Sequence, residues 1–342
     1  MAVREIARRV FSRGSSSQRE PLLSFGSWDA FPEEEPRVVQ ICHPDWRGVR
    51  TAAYAFRTPV VECDDLKRWG SQILDGIQTA YVDVVVIQGW PPGSEGFAAS
   101  CHAAGITVKC VFHSSPALQG TSQAEAAVVR QALDLLSARV LTGLATVKVG
   151  VAEAFSAFGH DIMYLPNRAP DMPDIEPLDL GPGFHVGVFG EPWWPKNIAT
   201  QVLAVGLIPD GVAHLTKDPG LSYVSNHRVV HGEMPWETFL ALQGSVDLNL
   251  YVTLTECYPL TPIESYLLGV PCLISRTSAV FRGDPELWRL TTVDQPDEPV
   301  AIAEAAETLL EARDEAVGRA RAWIAKADIK AQASWLDFVA RV

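Results

Sequence analysis

The chain has little positive charge. Its 342 residues include 28 Lys and Arg against 41 Asp and Glu, which gives a formal net charge of −13. Proteins that bind nucleic acid in general present a basic surface to the phosphates. The charge balance therefore argues against general nucleic-acid binding, although it leaves room for a local basic patch.

Long apolar runs and paired cysteines are also absent. No uninterrupted apolar stretch approaches the roughly 20 residues that span a bilayer. The six cysteines form no Cys-x-x-Cys pair, and together with eight histidines they show none of the ligand spacings of a zinc site. We expect buried free thiols and a cytoplasmic protein.

The first 36 residues are predicted to be an N-terminal arm and lead-in. The beginning lacks the long apolar core of a secretory signal and contains Arg4, Arg8, Arg9 and Arg13. Two explanations stay open for this basic segment: a mobile arm, or a peripheral contact with an anionic membrane or another polyanion.

From residue 37 onward, apolar strand-like runs alternate with helical patterns. Strands are predicted at 38–42, 82–88, 106–112, 140–146 and 162–165, with helices at 95–104, 123–138 and 151–158 between them. A stretch rich in Pro and Asp then lacks periodicity, which is typical of a linker. A second alternating unit follows it. Such alternation predicts an α/β protein with parallel sheets covered on both faces.

Residues 246–275 are the most informative segment. A predicted strand is followed by a loop, a short helix and a second strand, so Glu256 and the helix N-terminus lie where ligands bind in open α/β sheets. Thr261 as N-cap, Pro262 and Glu264 fit a capping box, which would explain these three residues without any ligand. A capping box does not explain Glu256.

This segment resembles the Glu-x7-Glu signature of retaining GT-B glycosyltransferases of the family 4 type. Glu256, the aromatic Tyr258 and Glu264 match the pattern, and the Gly-x-Pro ending corresponds to residues 269–271. Pro259 stands where the family has Gly and lacks a backbone N–H. The motifs at 165–167 and 186–196 match more loosely.

The resemblance implies a GT-B fold, in which two Rossmann-like domains face each other across a cleft. The expected divisions are 1–36 for the arm, 37–170 for the N-terminal acceptor-side domain, 171–183 for the linker, 184–315 for the nucleotide-sugar-binding domain, and 316–342 for a helix crossing back to the first domain. Trp335, Leu336, Phe338 and Val339 are its expected packing face.

The same resemblance implies an activity. The enzyme would move a hexose or pentose, with retention, from a nucleotide-diphosphate donor such as a UDP- or GDP-sugar. The acceptor would be a hydroxyl group on a glycan, a lipid-linked compound or a small molecule. No metal and no cofactor are expected, because cationic side chains and backbone donors would serve the diphosphate.

Three residues are expected to be catalytic by resemblance. His113, at the end of a predicted strand, would lie beside the transferred sugar, and Glu256 would face the sugar hydroxyls. Lys196 would stabilise charge on the leaving phosphate. Glu191 replaces an expected Arg, so Lys196 would act alone or with a neighbour such as Arg168. Structural readings stay open: a hydrogen-bonding His and a solvated Lys.

The expected donor-binding residues provide backbone contacts and one carboxylate. Glu264 would accept hydrogen bonds from the ribose hydroxyls. A plain tight turn is the alternative explanation for Gly48. The backbone contacts to the diphosphate are expected from Gly48, Gly190, Leu260 and Thr261.

Two other functions remain open from the sequence. The departures at Glu191 and Pro259 would suit a non-catalytic nucleotide-sugar-binding or scaffold protein of the same fold. The arginines of the arm would suit a glycosyltransferase that acts on modified DNA bases, which the acidic balance disfavours.

Overall fold

The structure, a computed structural model, describes residues 19–223 and 228–341. The arginines of the N-terminal arm lie outside the described residues, and so does the membrane contact proposed for them. Among the described residues, no helix combines the length and the apolar character needed to cross a bilayer.

The first unit is built on a seven-stranded sheet in the order β1-β3-β2-β4-β5-β6-β7. All neighbouring strands are parallel except β1, which pairs antiparallel with β3. The strands are β1 (Leu22–Leu23), β2 (Val38–Cys42), β3 (Val60–Glu62), β4 (Val84–Gln88), β5 (Thr107–Phe112), β6 (Gly143–Thr146) and β7 (Ile162–Tyr164).

Helices connect these strands, as parallel strands require. The helices are α1 (Arg47–Ala55), α2 (Leu66–Thr79), α3 (Ser94–Ala103), α4 (Pro116–Gln119), α5 (Gln123–Ser137) and α6 (Val151–Ala157). Because helices cover both faces of the sheet, its strands β2 and β4 are buried along their whole length.

The second unit contains a six-stranded parallel sheet in the order β10-β9-β8-β11-β12-β13. Its strands are β8 (Phe184–Val188), β9 (Gly211–Leu215), β10 (Arg228–Val230), β11 (Leu248–Tyr251), β12 (Cys272–Ser275) and β13 (Thr292–Val293). Its helices are α7 (Ile198–Val205), α8 (Trp236–Ser245), α9 (Thr261–Leu268), α10 (Pro285–Thr291), α11 (Pro299–Glu311) and α12 (Arg313–Ala340).

The predicted fold class is confirmed: the chain is an α/β protein with two parallel-sheet, Rossmann-like units. The lead-in is more ordered than expected, because Leu22–Leu23 adds an edge strand and Trp28–Ala30 forms a 3₁₀ turn. Strand β3 and helix α2 were not predicted from the sequence. All six cysteines are buried and free, as predicted.

Helix α12 contacts both units. Trp335 stacks on Phe56, the residue that follows α1, with ring centroids 4.4 Å apart, and Arg321 donates to the carbonyl of Tyr266 in α9. Trp335, Phe338 and Val339 are buried, whereas Leu336 is 56% exposed, so its expected packing role is wrong. Residues 335, 338 and 339 share one helical face, and Leu336 points away from it.

Candidate active site

The carboxyl ends of the two sheets are joined by contacts between the units. The hydroxyls of Ser115, just after β5, and Thr255, just after β11, lie 2.6 Å apart. Asn167 donates to the carbonyl of Tyr258 at 2.9 Å. Lys148, which follows β6, donates to the carbonyls of Glu256 and Thr277. These contacts bring the segment after His113 against the segment that carries Glu256.

Lys196, Tyr251 and Glu256 form a compact polar cluster. Lys196 Nζ lies 2.5 Å from Glu256 Oε2 and 2.7 Å from the Tyr251 hydroxyl, which is itself 2.8 Å from Glu256 Oε2. Lys196 ends the 3₁₀ turn after β8, and Tyr251 ends the neighbouring strand β11. Adjacent parallel strands therefore deliver the three groups to one place.

The charges of this cluster depend on one another. Burial by itself would raise the pKa of Glu256, but the Lys196 ammonium and hydrogen bonds from Lys196, Cys257 N–H and Tyr251 hold that pKa below its ordinary value. Burial likewise opposes the charged form of Lys196, yet Tyr251 and Glu256 outweigh it and raise the pKa of Lys196. The site holds an ammonium and a carboxylate as a pair.

His113 lies at the end of β5 on the opposite sheet. Its Nε2 is 2.8 Å from the side-chain oxygen of Gln88, the last residue of β4. Burial lowers the pKa of His113 to about 4, so the ring is neutral near pH 7. The ring can exchange hydrogen bonds with a substrate, but it does not add positive charge.

Glu264 is not part of a capping box. The N-cap of α9 is Leu260 rather than Thr261, and no side chain caps this terminus among the described residues. Glu264 is 5% exposed, and within the described part of the chain its side chain accepts one hydrogen bond, from Trp236 Nε1 at 3.3 Å. Burial raises its pKa, while Arg47 and the Trp236 bond oppose that rise. This carboxylate has more accepting capacity than the protein uses.

Arg47, from the other unit, lies near enough to lower the pKa of Glu264 electrostatically, without an ion-pair contact among the described residues. Its guanidinium carbon lies 3.8 Å from the ring centroid of Phe239 in α8. One of its nitrogens, Nη2, is buried without a hydrogen-bond partner among the described residues. Arg47 was not among the residues predicted for the site, and its position directly before Gly48 is the signal in the sequence that points to it.

The first turn of α9 offers backbone donors. Gln243 holds the turn by donating to the Thr261 carbonyl at 2.8 Å, and the first helical hydrogen bond runs from Glu264 N–H to Leu260 O. Pro262 provides no N–H. The N-terminal N–H groups of a helix without a side-chain cap suit an anionic ligand, which is the contact expected of Leu260 and Thr261.

The two candidate glycines differ in their surroundings. A Cβ built on Gly48 meets nothing within 4 Å, and its φ is not positive, so the tight turn considered from the sequence does not require glycine here. A Cβ on Gly190 would lie 3.2 Å from Ile198 Cδ1 and 3.5 Å from Lys196 Cβ. Gly190 thus leaves room for the close packing of Ile198, while Gly48, in the first turn of α1, faces open space.

Two expectations about neighbouring charges change. Arg168 is held by Asp328 of α12 through bonds of 2.9 and 2.7 Å, so it is not available to assist Lys196. Glu191 pairs with Lys217 at 2.9 Å, and Lys217 also lies 3.2 Å from Glu233. Lys217, which no motif in the sequence indicates, restores a cation next to Glu191, where an Arg was expected.

The structure thus groups the candidates in two sets. Lys196, Glu256 and Gly190 lie together, with His113 linked to them through the Ser115–Thr255 contact. Glu264, Leu260 and Thr261 share the first turn of α9. No group of three or more His, Cys, Asp or Glu able to hold a metal occurs in residues 19–223 and 228–341.

Several solved structures have a similar fold. Sucrose-phosphate synthase from Thermosynechococcus elongatus superposes with a TM-score of 0.59 at 13% identity, covering 88% of this chain and 99% of that one. Trehalose-6-phosphate synthase OtsA superposes with a TM-score of 0.63 at 11% identity, covering 89% of this chain and 99% of that one. The third neighbour is a UDP-forming trehalose-phosphate synthase from Burkholderia xenovorans in complex with glucose-6-phosphate. Its TM-score is 0.61 at 10% identity, and the match covers 88% of this chain and 99% of that one.

The chain has the GT-B fold. The likeness extends over nearly the whole of these neighbours, and at such low identities it establishes the architecture alone. No family model and no curated protein matches the sequence. Membership of family 4 and the Glu-x7-Glu assignment therefore stay predictions.

Proposed function

We propose that this protein is a retaining glycosyltransferase that moves a sugar from a nucleotide-diphosphate donor to a hydroxyl acceptor. The observation that carries the proposal is the Lys196–Tyr251–Glu256 cluster at the carboxyl end of the second sheet, held against the His113 segment of the first sheet. An ion pair at a cleft between two Rossmann-like units is suited to a ligand that contains both phosphate and hydroxyl groups.

The second unit would hold most of the donor. The ribose hydroxyls would donate to the buried Glu264 carboxylate, which has spare acceptor capacity. The diphosphate would lie against the N-terminus of α9, since free N–H groups and the helix dipole favour anions. The open space at Gly48 would admit the phosphates from the opposite side of the cleft.

Lys196 and Glu256 would exchange partners when the donor binds. In the free protein each neutralises the other. A diphosphate would attract the ammonium, and Glu256 would then accept hydrogen bonds from sugar hydroxyls. As the bond between the anomeric carbon and the phosphate oxygen breaks, charge grows on the phosphate, where Lys196 stabilises it.

The acceptor oxygen would form the new bond on the same face of the sugar. Its proton would pass to the departing phosphate oxygen, so no separate protein base is needed. The structural neighbours are named as synthases of sugar phosphates, and one was solved with glucose-6-phosphate. A phosphorylated sugar is therefore the first acceptor to test, followed by glycans, lipid-linked compounds and other small hydroxyl compounds.

A ligand screen tests the donor class. Melting temperatures would be measured with UDP, GDP and ADP and with their glucose or mannose conjugates, because a ligand that binds only the native state raises stability. We expect one nucleotide to stabilise the protein, with hydrogen-exchange protection at residues 190–196 and 253–264. Protection confined to residues 38–146 would contradict the proposed donor placement.

Donor turnover separates catalysis from binding alone. With the stabilising sugar nucleotide, we expect slow hydrolysis without acceptor and faster consumption with a phosphorylated sugar or another hydroxyl acceptor. Tight binding without consumption under either condition would favour the non-catalytic scaffold instead.

A further inference from the structure

Two glutamines are buried in β2 and β4, the adjacent central strands of the first sheet. Gln40 lies within β2 and Gln88 ends β4, and both are essentially inaccessible to solvent. Strands covered on both faces normally carry continuous apolar side chains. A buried amide is costly unless its hydrogen-bonding groups are satisfied, so the partners of these two amides indicate what they do.

The orientation of Gln40 follows from a backbone carbonyl. One end of its amide lies 2.7 Å from the carbonyl oxygen of Ala53 and 2.6 Å from the hydroxyl of Thr58. A carbonyl oxygen only accepts, so this end is the NH₂ group. The oxygen of Gln40 is therefore the atom that faces Gln88.

The orientation of Gln40 fixes that of Gln88 and, through it, the protonated nitrogen of His113. The amide atom of Gln88 that lies 2.6 Å from Gln40 Oε1 must donate, which makes it Nε2. Gln88 Oε1 then faces His113, 2.8 Å from the ring Nε2. Because this oxygen also only accepts, His113 carries its proton on Nε2.

A neutral imidazole has one N–H, so Nδ1 of His113 holds a lone pair. No protein group within the described part of the chain bonds to Nδ1. A carboxylate in place of Gln88 would favour the charged ring, whereas the two amides fix the position of the proton without adding charge.

We infer that Gln88, oriented by Gln40, is a positioning residue that holds His113 in the Nε2–H form and presents Nδ1 as a hydrogen-bond acceptor. The identity of the donor to Nδ1 rests on the proposed function: it is a hydroxyl of the transferred sugar. His113 would accept from that hydroxyl and would not donate to it.

The protonation state of His113 can be observed directly. In protein with ¹⁵N-labelled histidine, long-range ¹H–¹⁵N correlation spectra distinguish a protonated ring nitrogen from an unprotonated one, and the His113 signals are assigned by their loss in His113→Asn. We expect Nε2 protonated and Nδ1 unprotonated throughout pH 6–8. A proton on Nδ1 in the unaltered protein would overturn the inference.

Two substitutions test the role of the amides. In Gln88→Met the ring loses its buried acceptor, so the N–H should move largely to Nδ1, on the side without a protein partner. In Gln40→Met the Gln88 amide is free to rotate, so both forms should appear. Exposed Gln78→Met is the control. Retention of a single Nε2–H form in both folded variants would refute the positioning role.

Turnover provides a second readout. Loss of one neutral hydrogen bond at the sugar corresponds to about a fivefold lower turnover, with the Michaelis constant for the donor little changed, in Gln88→Met but not in Gln78→Met. The spectra do not depend on catalysis. If no transfer is found, the proposed function fails while the spectra still decide the role of Gln88.

Discussion

At the scale of single residues, Glu264 is a buried carboxylate without an ion-pair partner in contact among residues 19–223 and 228–341. It is 5% exposed, accepts one bond at 3.3 Å, and has a raised pKa because of its burial. An ionised group in this setting is costly unless further donors arrive. Ribose hydroxyls would be such donors.

Glu264→Gln should weaken nucleotide binding without weakening the fold. The change replaces a charged acceptor with a neutral amide, and the difference between the two kinds of hydrogen bond is about 1 kcal/mol, or severalfold in affinity. Removal of a buried charge should leave the melting temperature unchanged or slightly higher. Calorimetric titration with the nucleoside diphosphate selected by the screen measures the loss.

Exposed Glu237→Gln, in the first turn of α8, is the matched control and should bind like the unaltered protein. Equal affinities for the Glu264 and Glu237 variants would show that Glu264 does not contact the nucleotide.

Lys196→Met should make stability depend differently on pH. In the native protein the pKa of Glu256 lies below its ordinary value of 4.5. Ionised Glu256 therefore contributes to the free energy of unfolding above pH 4.5, and this contribution is lost as the pH falls through the native pKa. Without the ammonium, burial would instead raise that pKa. The loss of unfolding free energy in the variant, relative to the unaltered protein, should then be largest near pH 7, up to about 3 kcal/mol, and should shrink toward pH 4.5.

Urea unfolding at pH 7 and pH 5 measures this change, with Lys217→Met as the control for a more exposed ion pair. A deficit that stays constant between the two pH values would mean that Lys196 does not set the charge state of Glu256.

At the scale of elements, the loop after β8 departs most clearly from the resembled family. Glu191 occupies the position of an expected Arg and pairs with Lys217, which follows β9. Both side chains are substantially exposed, so their interaction is modest. The pair nevertheless engages Lys217, a cation beside the loop that contains Gly190 and Glu191.

Glu191→Gln should tighten nucleoside-diphosphate binding about twofold at low salt, because it removes a negative charge and one of the two carboxylates paired with Lys217. Titration at low and high salt measures the gain, which should shrink as salt screens the charges. Glu233→Gln removes the other carboxylate on Lys217 and is the comparison variant. Weaker binding in Glu191→Gln would indicate that Glu191 itself contacts the donor.

Most elements were predictable because their signals are local. The apolar run of β2 was predicted at its observed bounds, and β4, β5, α3 and α5 within about two residues. Strand β3 has three residues, too few for a period to show. The N-cap of α9 was misplaced by one residue, since Thr261 has the chemistry of a cap but its side chain makes no cap bond.

The site was predictable only in outline. Motif spacing and strand ends identified the segments of Lys196, Glu256 and Glu264. The pairing of Lys196 with Glu256, the hydroxyl of Tyr251 between them, and the approach of Lys148 all depend on packing between distant segments. Such contacts leave no periodic pattern in a single sequence.

At the scale of the whole molecule, α12 ties the two units together. Trp335 is 1% exposed against Phe56, and Asp328 receives two hydrogen bonds from Arg168 beside the linker. The two units should therefore unfold together, and the cleft geometry should depend on this helix.

Trp335→Ala should lower the free energy of unfolding by about 3–5 kcal/mol, the usual cost of removing a buried aromatic side chain. It should also separate a single calorimetric transition into two. Leu336→Ala, one residue away and exposed, should change stability by less than about 0.5 kcal/mol. A single transition of unchanged cooperativity in Trp335→Ala would argue against coupling through α12.

The central claim is that the cleft transfers a sugar from a nucleotide donor with retention. The most direct measurement follows the anomeric protons of an α-linked sugar nucleotide by ¹H NMR as the protein consumes it with water or a hydroxyl acceptor. A retaining transferase should form the α-anomer first, and Lys196→Ala should react much more slowly. A β-anomer formed first, or no consumption of any donor that binds, would contradict it.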